Sequence, residues 1–142
     1  MRPWSLLVAG CFLVSWSTAL PPRISAQVSS EVLQVFSDAA AALANDDSAG
    51  FLDQFDQAMP GYAALRANVE ALLAGNEVIS TIDPVTDTGD NQKHTVQLDW
   101  LLAINSKDGR NDTRRGIVKC ILEYQGKRWK IVSIEPADFF RP

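Results

Sequence analysis

From Glu31 to Ala44 the apolar residues Val32, Leu33, Phe36, Ala40 and Leu43 recur at helical spacing. They form one stripe, and the spacing predicts a helix with Ser30 as its capping hydroxyl and Glu31 in its first turn. Asn45-Asp46-Asp47 ends it. Ser48 is placed to cap a short second helix that turns Phe51, Leu52 and Phe55 inward. After the break at Pro60-Gly61, a second stripe of Tyr62, Leu65, Val69, Leu72 and Leu73 predicts a third helix that exits at Gly75.

The second half changes period. Glu77 to Val85 reads as a strand broken by Pro84, and TDTGDNQ (residues 86–92) as turn chemistry. From His94 to Asn105 the chain alternates: Val96, Leu98, Trp100, Leu102 and Ile104 share one face, with Gln97, Asp99 and Leu101 on the other. A third strand runs from Thr113 to Tyr124, with Val118, Cys120, Leu122 and Tyr124 on one face. Gln125-Gly126 turns the chain into a fourth strand from Arg128 to Ile134, where Trp129 and Ile131 alternate with Lys130 and Val132. Three helices followed by a meander of about four strands predict an α+β layer, helices on one side of an antiparallel sheet.

The first 26 residues follow another logic. Arg2 precedes an uncharged apolar run, Trp4 to Leu20, and PPRISA ends it with prolines and a small residue. That is the plan of a secretory signal peptide, with cleavage expected after Ala26 and a single domain over residues 27–142. The alternative is lipidation at Cys11, within LVAGC, but a cut there would leave Phe12, Leu13, Val14 and Trp16 on the mature chain. The expected location is secreted or periplasmic, with no membrane span after cleavage. Removing the leader takes two of the 13 basic residues, Arg2 and Arg23, and none of the 17 acids, so the formal charge moves from −4 to −6. Such an acidic chain is a poor match for nucleic acid. Only Cys120 would remain, which excludes an internal disulfide and suits a buried thiol.

Three stretches then carry a resemblance: FLDQFDQAMPGYAALRANVEALL, HTVQLDWLLAI and GKRWKIVSIEPADFF. With the order of elements, they make residues 28–140 similar to the nuclear transport factor 2-like, or SnoaL-like, superfamily. The resemblance implies a curved antiparallel sheet wrapped with helices into a cone, often with a pocket and often dimeric. It implies no single activity, because isomerases, dehydratases and plain binding domains share the fold.

Candidate chemistry is thin. The resemblance points to an Asp, His or Tyr inside the cone. Asp99 is the candidate proton carrier, with Tyr62 and His94 as candidate assistants. Against these stand plainer expectations: Asp99 paired with a cross-strand Lys119 or Arg115, His94 exposed at a strand end, and Tyr62 packed with a wet hydroxyl. Trp100, Trp129 and Tyr124 are the candidate pocket residues, and Phe139-Phe140 a plug for the wide end or a contact with a second subunit. One histidine and one mature cysteine do not build a zinc site, and Asp83, Asp87 and Asp90 lack calcium-loop spacing, so no metal or cofactor is expected. Arg110, Arg114, Arg115, Lys119, Lys127, Arg128 and Lys130 make the later strands basic, a solvated face or a seat for an anion. The leading expectation is a non-catalytic ligand-binding or accessory module for a small apolar or anionic molecule. The alternatives are a small isomerase or hydratase, and a homodimeric assembly domain.

Overall fold

A computed structural model of the chain describes residues 24–142. Most of the expected leader, Cys11 included, lies outside the described residues. The elements are α1 (Ile24–Ala44), α2 (Ser48–Leu52), α3 (Tyr62–Gly75), β1 (Asn76–Gly89), β2 (Lys93–Ser106), β3 (Asn111–Tyr124) and β4 (Trp129–Glu135). The four strands form one open antiparallel sheet in the order β1-β2-β3-β4. This is the α+β arrangement that the change of period predicts.

Three of the differences from the expected elements have a local reason. Helix α1 starts at Ile24, earlier than the Ser30 cap, and no glycine or proline between Ile24 and Ala44 opposes the extension. Helix α2 is capped by Asp47 rather than Ser48: its carboxylate accepts the Gly50 N–H at 2.8 Å. Strand β1 runs on through Pro84 to Gly89, so Thr86 to Gly89 are strand, and the turn shrinks to the residues before Lys93. Proline is tolerated because β1 is an edge strand, and the pairing skips Val85 between Pro84 and Thr86.

At the other edge, Gln54 to Asp56 lie beside β4. Ile131 N–H donates to Gln54 O at 2.9 Å and Asp56 N–H to Ile131 O at 2.8 Å, which satisfies β4 locally. Val132 is skipped in the β3–β4 pairing, and Ile134 faces inward beyond it.

The inner face of the sheet carries Val96, Leu98, Trp100, Leu102, Val118, Cys120, Leu122 and Ile131, all fully buried under the helices. Rings fill the space above them. Trp100 packs edge-on to Phe36 at 6.5 Å and to Phe140 at 5.1 Å, and Phe140 meets Phe51 at 5.0 Å. The Trp100 N–H donates to Ser80 Oγ at 2.7 Å, so the buried indole leaves no orphan donor. Gly116 pairs with Trp100, and a Cβ there would stand 3.3 Å from the Phe139 ring, so its lack of a side chain makes room for both aromatics. Phe139 and Phe140 therefore plug the cone from within the chain. Arg114 holds this tail, donating to the carbonyls of Phe139 at 2.6 Å and Arg141 at 2.7 Å.

Candidate functional site

Asp99 and His94 lie on the same strand at positions of opposite parity, so β2 sends them to opposite faces. Asp99 is on the open face, where Arg115 donates to both carboxylate oxygens, Nε to Oδ1 at 3.0 Å and Nη2 to Oδ2 at 2.6 Å. The Arg115 guanidinium holds its carboxyl below the usual carboxylate range. The cross-strand partner is thus Arg115, one of the two expected.

His94 departs from expectation. It is buried at 3 % exposure, because β1 continues past Pro84 and covers it: Gly89 pairs with His94 and would have no room for a Cβ against it. Its Nδ1 lies 2.5 Å from Asp87 Oδ1, so the two side chains share a hydrogen bond. The other two polar atoms of the pair, His94 Nε2 and Asp87 Oδ2, are buried and find no partner. The ring packs edge-to-face on Trp129 at 5.1 Å. Asp87 is the residue that sequence reasoning missed, since TDTGD reads as a turn. The usable signal was positional: an extended β1 brings Asp87 beside Val96, on the inner side and two residues along from the Gly89–His94 pair.

Tyr62 lies in neither place. It is half-buried at the start of α3 and lines a cleft of about 490 Å³ with Asp53, Asp56, Arg66, Glu70 and Lys130. The charges there are largely matched: Arg66 pairs with Glu70 at 2.9 Å, and Asp53 with Arg128 at 3.0 Å. The Arg128 hydrogen bond, then Lys130, hold the Asp53 carboxyl below its ordinary range. Asp99, His94 and Tyr62 are therefore not brought together.

The candidate pocket aromatics also divide. Trp100 is core. Trp129 and Tyr124, ring centroids 5.5 Å apart, line a second cleft of about 390 Å³ between α1 and the β3–β4 hairpin. Its other residues include Glu31, Gln34, Val35 and Asp38 from α1, with Lys127 and Arg128 from the hairpin. Tyr124 is 37 % exposed, while Trp129 is buried and donates its N–H to Glu31 at 3.3 Å. Cys120 is buried, and desolvation pushes its thiol far above the ordinary value, so it is a packed side chain and not a nucleophile. Among the described residues no three His, Cys, Asp or Glu side chains gather to hold a metal, and no helix is long and apolar enough to cross a membrane.

No protein-family model matches the chain, and no curated protein matches it. Solved structures do. A candidate aromatic ring hydroxylase of Novosphingobium aromaticivorans superposes with a TM-score of 0.70 at 15 % identity, covering 77 % of this chain and 87 % of that one. A nuclear transport factor 2-like superfamily protein of Salmonella enterica serovar Typhimurium gives 0.66 at 13 % identity, over 78 % and 89 % of the two chains. The fold is the nuclear transport factor 2-like cone. A further protein of N. aromaticivorans, described as nuclear transport factor 2-like with a cystatin-like fold, matches at 0.63 and 13 % identity over 78 % of this chain and 80 % of its own. Within the cone, identities this low carry architecture and no activity.

Proposed function

We propose that the chain is an exported, non-catalytic ligand-binding or accessory domain whose ligand seats in the cleft between α1 and the β3–β4 hairpin. One contrast supports this reading. Rings fill the space between helices and sheet, whereas the exposed Tyr124, packed against the buried Trp129, borders an open cleft of about 390 Å³, a size that suits a small molecule. Flat aromatic side chains there give contact area at little cost in side-chain entropy. Calorimetric titration of the full chain with benzylamine and para-toluate tests it. Saturable heat that is lost in a Tyr124→Ala variant supports the cleft, and saturable heat unchanged in that variant contradicts it. Export rests on the leader: an N-terminus at Gln27 by intact mass supports cleavage after Ala26, and a diacylated Cys11 overturns it.

The second reading is a proton-transfer enzyme. The observation that favours it is the buried His94–Asp87 pair with its free Nε2, rather than Asp99, whose carboxylate is occupied by Arg115. A His94→Gln variant separates the two: unchanged uptake in the cleft fits the binding domain, whereas loss of a turnover shown by the unaltered chain establishes the enzyme. For a homodimer, the open sheet face offers Ile79 and Ile117, each more than half exposed.

A further inference from the structure

The two walls of the α1–hairpin cleft carry opposite charge. Glu31, Gln34 and Asp38 lie on one face of α1, at helical spacing. Lys127 and Arg128 stand on the hairpin side, with Tyr124 and Trp129 between the two walls. Opposite charges on facing elements pair when they can reach one another. Here, among the described residues, no ion pair crosses. Arg128 bonds Asp53 at 3.0 Å, and no carboxylate bonds Lys127. On the other wall, Glu31 accepts the Trp129 N–H, and Asp38 accepts Gln34 Nε2 at 2.8 Å. Each carboxylate keeps acceptor capacity after those bonds.

The larger cleft beside Tyr62 makes the contrast. There most charges pair within the protein, Arg66 with Glu70 and Asp53 with Arg128 and Lys130, while Asp56 accepts the Gln125 amide at 2.7 Å. An occupant of that cleft finds its polar partners already engaged. In the α1–hairpin cleft an acidic wall and a basic wall remain apart, with aromatic side chains joining them.

We propose that this cleft takes a flat aromatic zwitterion, its ammonium toward Glu31 and Asp38 and its carboxylate toward Lys127. This deepens the reading of the cleft as the binding site and rests on it. An apolar molecule uses the rings alone and leaves both walls to water. A simple anion satisfies Lys127 and is repelled by α1, and a simple cation meets the converse problem. A molecule with both charges at opposite ends of a ring meets each wall with the matching sign.

Titration calorimetry of the full chain at low salt tests this with three probes that share a benzene ring: para-aminomethylbenzoate, benzylamine and para-toluate. The zwitterion is expected to bind about tenfold or more tightly than either singly charged probe, the scale of one charge-assisted hydrogen bond. Lys127→Ala should reduce it to the level of benzylamine, and Asp38→Asn to that of para-toluate. Both side chains are exposed, so these substitutions spare the core. A singly charged probe that binds as tightly as the zwitterion overturns the assigned ligand class while leaving the cleft as the site. Binding indifferent to both variants overturns the placement. No binding by any of the three removes the cleft reading itself.

Discussion

The two faces of β2 belong to one strand and live under different rules. On the inner face Val96, Leu98, Trp100 and Leu102 are completely buried within the hydrophobic core. On the outer face Gln97, Asp99, Leu101 and Ala103 are half-buried, and polar side chains there find partners across the strands, as Asp99 finds Arg115. Packing decides the first face and solvent-screened pairing the second. The difference teaches that a carboxylate at mid-strand is no guide to a site in the cone. What matters is which face its parity selects.

Substitution tests sharpen this contrast, and the largest effect falls on the inner face. Trp100→Ala should cost about 3–5 kcal/mol, because it removes a fully buried indole and strands Ser80. Trp129→Ala should cost about 3 kcal/mol, toward the low end of that range, since its ring lies at the rim of the core. Denaturant midpoints unchanged by both would contradict the assignment of the inner face. His94→Ala follows, at about 1–3 kcal/mol, because it leaves the partly buried Asp87 side chain without its hydrogen-bond partner. Cys120 reports the same face chemically: iodoacetamide should leave its peptide unmodified in the folded chain and alkylate it in denaturant. Labelling under native conditions would mean that this part of the core opens readily.

The smallest effect is expected outside. Asp99→Asn should barely lower the midpoint at neutral pH, because Arg115 is largely exposed and the pair is screened. The sign of its pH dependence is fixed. A carboxyl whose folded pKa is depressed contributes above its unfolded pKa and loses that contribution as pH falls through the folded value. The small gap between Asp99→Asn and the unaltered chain should therefore close in acid. Midpoints measured from neutral pH downward check it, and a gap that widens contradicts the pairing.

Periodicity made most of the architecture legible. The stripes of α1 and α3, the alternation of β2 and the inward Phe51 and Leu52 depend on local spacing, which a sequence displays directly, whereas Phe55 lies beyond α2 and is buried beside β4. The pocket aromatics were legible as residues but not as places: Trp100 and Trp129 look alike in the strand pattern and both are buried in the core, yet Trp129 also borders the α1–hairpin cleft. The His94–Asp87 pair was not legible, for a definite reason. Whether His94 is exposed depends on how far β1 extends beyond Pro84, and TDTG carries turn composition while the pairing with β2 holds it extended. Tertiary pairing overrode local preference there. The charged walls of the cleft were hidden likewise, since Asp38 and Lys127 line one cleft only when α1 packs beside the hairpin.

The account turns on where a ligand goes in a cone already filled by its own rings. A nitrogen–proton correlation spectrum of the full chain, titrated with para-aminomethylbenzoate, asks this residue by residue. Shifts confined to Glu31, Val35, Asp38, Tyr124, Lys127 and Trp129, with Leu98 and Trp100 unmoved, are the predicted result. Shifts centred on Val96, Leu98 and Trp100, with the hairpin silent, would place the site inside the cone and contradict it.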